Sequence, residues 1–328
     1  MSHKQHPIGS GFTAASTADD VLAGLDLRGK NVVVTAGHAG LGLETTRALA
    51  KAGASVTVAA RDPARAASAV AGLERVEVVA LDLVDPKSID AFAARWLETG
   101  RPLHILVNNA AAVPSKTLVT DARGFEAQFS TNHLGHFQLT RALLPALRAA
   151  HGARVVNVSS GAQRFGEIRW DDPSFANGYD SRAAYAQSKK ANVLFAVELD
   201  RRWAKDGIRG YAVHPGVVVG TSLNASAGPE ALRRMGLIDE ADQPIIDPAR
   251  GKKTVAQGAS TSVFAATSPL LAEIGGVYLK DNDISALDDE MTGLTADRIP
   301  AEAASHSIDP EAAQRLWALS ERLLAAGS

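Results

Sequence analysis

Val32-Val33-Val34-Thr35-Ala36-Gly37-His38-Ala39-Gly40-Leu41-Gly42 joins a short apolar run to a glycine-rich turn, and a helical pattern follows over 41–52. That order is what a dinucleotide phosphate site requires. Small residues let the backbone approach a pyrophosphate, and a helix N-terminus offers unpaired N–H groups and a positive dipole end. An ordinary glycine-rich strand-to-helix turn is the plain alternative. Gly37, His38, Gly40, Leu41 and Gly42 are the residues that would cradle the cofactor.

The same rhythm continues outward from this segment. Further apolar runs lie at Ser55 to Ala60, Val76 to Leu81, Ile105 to Val107, Arg154 to Val158, Arg209 to Val213 and 275–279. They are nearly continuous rather than alternating, as strands buried on both faces of a parallel sheet are. Helical patterns fill the gaps at 63–72, 86–98, 121–150 and 182–206, the last with Asp180 or Ser181 as its cap and Gly207 beyond its end. Strand–helix alternation predicts right-handed βαβ units in a doubly wound α/β fold with a seven-stranded, mainly parallel sheet and helices on both faces. Residues 30–328 read as one domain behind an extension at 1–29. Two stretches break the rhythm, 161–180 and 217–253, and loops that long are usually functional or disordered. The second holds a short helix begun by Pro229. Thr254 to Gln257 is a capping box that opens a helix to about 267. Residues 281–308 read as irregular, and 309–326 as an amphipathic helix.

Bulk properties exclude several classes. The chain has 328 residues, 46% hydrophobic, with formal net charge −2 and no cysteine. No basic tract suits a nucleic acid, and no apolar run approaches membrane-spanning length. The start lacks a charged leader ahead of an apolar stretch, so a cytoplasmic location is expected. Disulfides and cysteine-ligated metals are excluded, and no His/carboxylate spacing makes a metal site.

The chemistry concentrates in Tyr185-Ala-Gln-Ser-Lys189. A tyrosine and a lysine four apart share a helical face. An ammonium beside the phenol is expected to pull its pKa down from ~10, so that it can exchange a proton with a carbonyl oxygen.

Val32 to Thr46, Asn108-Asn109-Ala110, Thr131-Asn132-His133-Leu134-Gly135-His136-Phe137, Val156 to Ser160, Tyr185 to Lys189 and His214-Pro215-Gly216 occur in the order found in the short-chain dehydrogenase/reductase superfamily. The chain resembles that superfamily over roughly residues 28–280, and within it the branch of retinol dehydrogenases, WW-domain oxidoreductases and protochlorophyllide reductases. Similar actinobacterial oxidoreductases share the Pro-Ile-Gly-Ser-Gly-Phe start and the Asp-Pro-Glu-Ala-Ala end. The resemblance implies a Rossmann fold. Tyr185 would be the general acid/base, and Lys189 would tune it and hold the nicotinamide ribose. Ser160, rather than Ser159, would bind the substrate oxygen, and Asn132 would hold a water linking Lys189 to solvent. His133 and His136 read as packing residues. Asp82 and Leu83 would line the adenine pocket, with Asn108, Ala110, Pro215 and Gly216 on the nicotinamide side.

Where NAD-preferring relatives end the second strand on an acidic residue, this chain has Ala60 followed by Arg61. An arginine there suits a 2′-phosphate, so NADP(H) is expected over NAD(H). Four departures stand out. Ala36 replaces the first loop glycine and Ala111 a glycine after Ala110. Ala39 sits where many NADP-dependent relatives place a basic residue, and the segment from Pro215 to Thr221 is one residue longer than usual. The expected activity is NADP(H)-dependent interconversion of a carbonyl and an alcohol. Alternatives are a dinucleotide-binding redox sensor without turnover, and a sugar-nucleotide epimerase or dehydratase, against which the glycine spacing speaks. Leu232, Met235, Leu237 and Ile238, facing Phe165 and Trp170 across the cleft, would form a lid for a mainly apolar substrate, or simply pin the loops. Homodimer, homotetramer and monomer all remain open.

Overall fold

The computed structural model describes residues 4–219, 221, 228–290, 295 and 299–326. The described residues build one eight-stranded sheet in the order β3-β2-β1-β4-β5-β6-β7-β8. The strands are β1 Asn31–Thr35, β2 Ser55–Ala60, β3 Val76–Ala80, β4 Ile105–Asn108, β5 Ala153–Val158, β6 Ile208–His214, β7 Val277–Lys280 and β8 Asp283–Ile284. β1 to β7 are parallel, as their apolar runs imply, and β8 returns antiparallel to β7. The sheet thus has one strand more than the seven expected. β8 has only two residues, too few for an apolar pattern. It exists because Asp281 and Asn282 both take positive φ (53° and 64°), the backbone of a tight two-residue hairpin.

Helices cover both faces. They are α1 Ala18–Leu22, α2 Gly40–Lys51, α3 Pro63–Ala69, α4 Pro86–Glu98, α5 Ala127–Phe129, α6 Gly135–Ala142, α7 Leu144–Ala149, α8 Ser181–Trp203, α9 Pro229–Arg234, α10 Val255–Thr267 and α11 Pro310–Ala326. Alternate residues of β1 face opposite cores. Val32 and Val34 pack with Leu49 of α2 and with Val263 and Phe264 of α10. Val33 packs with Phe92 of α4, Phe137 of α6, Leu199 of α8 and Trp317 of α11. Each of the three valines is fully buried, which is worth about 1.5–3 kcal/mol apiece.

The N-terminal residues are part of this packing. Ala18, Val21 and Leu22 of α1 join the first core. The Asp283 carboxylate accepts the N–H groups of Ile8, Gly9 and Ser10, and the Gln5 side chain pairs with the backbone of Tyr278.

The single helix expected over 121–150 is broken. Glu126 caps α5 by accepting from Gln128 N and Phe129 N. A widened π turn, Ser130–Leu134, separates α5 from α6, and Pro145 restarts the chain as α7. Elsewhere the caps lie where the sequence puts them. Asp180 accepts from Ala183 N, and Thr254 and Gln257 exchange both capping-box bonds.

His133 and His136, in the π turn and α6, and His214, ending β6, are buried. Burial holds their pKa values at about 3, about 4 and about 3. All three are therefore neutral in the fold and regain a pKa of ~6.5 on unfolding. Below that value the unfolded chain binds more protons, so stability falls as pH drops from about 6.5 toward about 4. The loss is up to about 1.4 kcal/mol per pH unit for each histidine. Urea denaturation at pH 7, 6 and 5 should show a progressively lower midpoint, and an unchanged midpoint would contradict three neutral buried imidazoles.

Candidate active site

The sheet changes winding direction between β1 and β4, and ligands of open α/β sheets bind outside the carboxyl ends of the strands at such a point. The Thr35 hydroxyl, ending β1, accepts the N–H groups of Asn109 and Ala110 just beyond β4, each at 2.9 Å. Asn109 Nδ2 donates back to Thr35 O at 2.9 Å. These bonds fix the two loops against each other.

In the turn that follows, Ala36 takes φ 52° and Gly40 φ 48°. A side chain in that region costs about 1–2 kcal/mol, so Ala36 stores strain a glycine would not. Gly37 does not relieve it. A Cβ there would meet Thr46 Oγ1 at 2.7 Å and Val58 Cγ2 at 3.0 Å, so Gly37 is required for packing. Gly42 has no room for a Cβ either, lying on the Ala36 carbonyl and the Asn109 side chain. α2 begins at Ala39, which offers no side-chain cap, and its first turn holds no acidic residue. Its leading N–H groups and dipole suit an anionic phosphate.

At the neighbouring edge, β2 ends on Ala60 with exposed Arg61 next, and Asp62 caps α3 through Arg65 N. His38 is partly buried, its Nδ1 lacks a partner, and burial and the Arg65 charge lower its pKa. Asp82 accepts from Val84 N, and the Leu83 carbonyl lies against Gly135. Gly216 takes φ 81° with Lys253 and Gly251 packed close behind it.

The second half of the site grows from the end of β5. The Val158 carbonyl accepts from Lys189 Nζ at 3.1 Å and from Asn192 Nδ2 at 3.0 Å, which locks α8 to the strand. Ser159 donates its hydroxyl proton to the Lys189 carbonyl at 2.7 Å. Ser160, the next residue, is partly exposed and near enough to the Tyr185 phenol to lower its pKa. Ser159 thus turns inward, while Ser160 stays partly exposed. Lys189 Nζ lies 5.6 Å from the centre of the Tyr185 ring.

Burial lowers the Lys189 pKa to about 8. For Tyr185 the expected downward shift does not appear: burial raises its pKa, and only the Ser160 hydrogen bond opposes the rise. The ammonium is held by the Val158 carbonyl, and burial is the larger influence on the phenol.

Asn132 lies in the π turn, fully buried. Its Oδ1 accepts from Ala112 N at 2.8 Å, and its Nδ2 donates to Ser188 Oγ at 2.9 Å. The side chain thus ties the loop after β4 to α8.

Two expectations need correction. Asn108 does not turn its side chain to the cleft. Its Nδ2 donates to Asn157 Oδ1 at 2.8 Å and to Thr140 Oγ1 at 3.1 Å, inside the core, while Ala110 stays in the loop. Trp170 does not face the 217–253 segment. It packs with the cluster of Phe125, Phe129 and Ile168, with Arg315 of α11 at 4.1 Å over its ring. Of the supposed lid residues, Leu237 and Ile238 are buried and Met235 is exposed, as is Phe165 across the cleft. Residues 220 and 222–227 of that segment lie outside the described residues.

Three residues were missed. Asn109 is the bridge between β1 and β4, and its place in an Asn-Asn pair at the winding change was the available signal. Arg65, in α3, comes near enough to the glycine turn for its charge to lower the pKa of His38, which shows only once α3 is set beside that turn. Arg164 is fully buried and donates to the carbonyls of Asp288, Glu290 and Glu302, fastening these three residues to the turn after Ser160. No local pattern marks that long-range contact. Among the described residues no group of three His, Asp or Glu could hold a metal, and no helix is long and apolar enough to cross a membrane.

Comparison with known proteins agrees with this geometry. The short chain dehydrogenase family model matches residues 30–231. A protein named Probable oxidoreductase from Streptomyces lividans is 46% identical over 311 residues, 92% of this chain and 100% of the relative. Retinol dehydrogenase 12 of Homo sapiens is 40% identical over 263 residues, 78% of this chain and 79% of the relative. The crystal structure of an uncharacterized protein from Mycobacterium paratuberculosis aligns at a TM-score of 0.69 and 32% identity, covering 95% of this chain and 98% of the other. Matched through its dinucleotide half and across the Tyr185 helix alike, the chain belongs to the short-chain dehydrogenase/reductase family of oxidoreductases.

Proposed function

We propose that this protein is an NADP(H)-dependent oxidoreductase that interconverts a carbonyl and an alcohol on a mainly apolar small molecule. The carrying observation is that Ser160, Tyr185 and Lys189 meet at the carboxyl edge of the sheet, beside the glycine turn. The nicotinamide, when bound, supplies or takes the hydride at the substrate carbon. In reduction the Tyr185 hydroxyl gives its proton to the carbonyl oxygen, whose π electrons become the new O–H bond. Ser160 holds that oxygen as negative charge builds on it. Lys189, charged below about pH 8, favours the phenolate left on Tyr185 once the proton has moved. The raised Tyr185 pKa keeps the phenol protonated at neutral pH, ready as a donor.

Three features support NADP(H). No carboxylate ends β2, exposed Arg61 follows it directly as a partner for a 2′-phosphate, and the Arg65 charge reaches His38 in the glycine turn. An apolar substrate is supported by the exposed large hydrophobics. Val113, Leu118, Val119, Phe165, Met235 and Ile246 all lie in segments leaving the carboxyl ends of β4, β5 and β6. The name of the human relative, a retinol dehydrogenase, points the same way. Trp317 of α11 packs on Phe137 and Phe195, so α11 covers α6 and α8, and any assembly would use another surface.

Tyr185→Phe should bind NADPH within a few-fold of the wild type and lose at least ~100-fold in turnover, measured as NADPH oxidation with an apolar aldehyde or ketone panel. Turnover within a few-fold of wild type would remove Tyr185 from the chemistry. Arg61→Ala combined with Arg65→Ala should weaken NADPH binding roughly ten- to a hundredfold or more and leave NADH binding nearly unchanged, since a charge-assisted pair is worth ~1.5–3 kcal/mol. Equal losses for the two nucleotides, by fluorescence titration, would refute the 2′-phosphate assignment.

A further inference from the structure

The hydrogen bonds around Thr35 can be counted to a single answer. Its hydroxyl has two lone pairs and one proton. The N–H groups of Asn109 and Ala110, both at 2.9 Å, take the lone pairs. The proton has two acceptors in view, Val107 O at 3.4 Å and His136 Nε2 at 2.9 Å, and the nearer is the ring nitrogen. Nε2 is then bare, so the proton of the neutral ring sits on Nδ1. Nδ1 lies 3.0 Å from Asn132 O, which as a carbonyl can only accept. Every donor in the chain has one acceptor, and the direction is fixed from the loop after β4 through Thr35 and His136 to Asn132. The ring is fully enclosed, and burial and the nearby Lys189 charge both favour its neutral form.

We infer that His136 is a positioning residue for the reaction: in its Nδ1-protonated neutral form it ties the dinucleotide loops to the carbonyl of Asn132, and so sets the register of the π turn against α8. The inference rests on the oxidoreductase reading above. Asn132 itself holds the loop at Ala112 and, through Ser188, the backbone at Tyr185. A shift of its carbonyl is therefore passed to both walls of the cleft. A protonated ring would turn an N–H on a hydroxyl whose lone pairs are already filled. A leucine would fill the space and carry no direction at all. A glutamine can accept from Thr35 with its oxygen and donate to Asn132 with its nitrogen.

Two measurements test this on the full-length protein. Histidine-labelled protein gives long-range 1H–15N imidazole spectra, with the His136 signals identified by their loss in His136→Gln. The neutral Nδ1–H form is expected at pH 7, and the Nε2–H form or a charged ring would overturn the proposal. With NADPH and a panel of decanal, 2-decanone and benzaldehyde, His136→Leu should lose about tenfold or more in kcat, the scale of a sub-ångström misplacement. His136→Gln should stay within about threefold, and both variants should bind NADPH within about threefold of wild type, because Thr35 keeps its two N–H donors. A His136→Leu protein as active as wild type, or a His136→Gln protein as impaired as His136→Leu, would overturn the role. If His136→Leu does not fold, the tautomer and the Gln variant decide. A wild type inactive on the whole panel would count against the oxidoreductase reading, while the tautomer still judges the hydrogen-bond path.

Discussion

The carbonyl of Val158 is the fixed point of the site. It ends a strand whose residues are almost all buried, and it takes both Lys189 and Asn192 from α8. A buried carbonyl with two donors cannot drift without leaving an ammonium or an amide unpaired, at about 1–3 kcal/mol or more each. That constraint holds the helix at one height above the sheet. Ser160, two residues past Val158, and Tyr185, one turn before Lys189, then have no choice but to meet. The relation of Lys189 to Tyr185 follows from the same bond. The lysine is anchored to the strand with its Nζ 5.6 Å from the ring centre, and burial dominates the phenol.

A second fixed point is the Thr35 hydroxyl, where the strands change winding direction. Its partners come from β4, the loop after it and α6. The two points are linked through Asn132, whose side chain bridges Ala112 and Ser188. The loop after β4 and the helix of Tyr185 are thus one hydrogen-bonded body. The substrate side is built differently. There Arg164, its buried guanidinium met by the carbonyls of Asp288, Glu290 and Glu302, fastens the turn that carries Phe165, and exposed Met235 and Ile246 lie in the loop after β6. Loops held by a few long-range polar contacts can vary without disturbing the sheet.

That division explains what could be read in the sequence. The seven parallel strands announce themselves because both faces of the sheet are covered, so Val32 to Val34 and Val155 to Val156 are apolar without alternation. Asp180, Thr254 and Gln257 were legible because capping is local. Ser160 could be chosen over Ser159 only through family resemblance, since the bond of Ser159 to the Lys189 carbonyl joins residues 30 apart. What could not be read depends on distant partners. β8 follows from two left-handed residues. The break at Ser130–Leu134 leaves helical spacing almost unchanged, and the inward turn of Asn108 needs Asn157 and Thr140 in place. The docking of Gln5 onto Tyr278 and of Arg164 onto Glu302 joins residues 273 and 138 apart and leaves no periodic trace.

The central claim is that this cleft passes a hydride between NADPH and an apolar carbonyl while Tyr185 moves the proton. The direct measurement is to incubate the protein with NADPH carrying deuterium at both C4 positions of the dihydronicotinamide, in ordinary water, with a panel of apolar aldehydes and ketones, and to locate the label by mass spectrometry. One deuterium on the carbinol carbon of the product, none on its oxygen, and loss of the product with Tyr185→Phe is the result expected. Tight NADPH binding with no labelled alcohol from any member of the panel would contradict it.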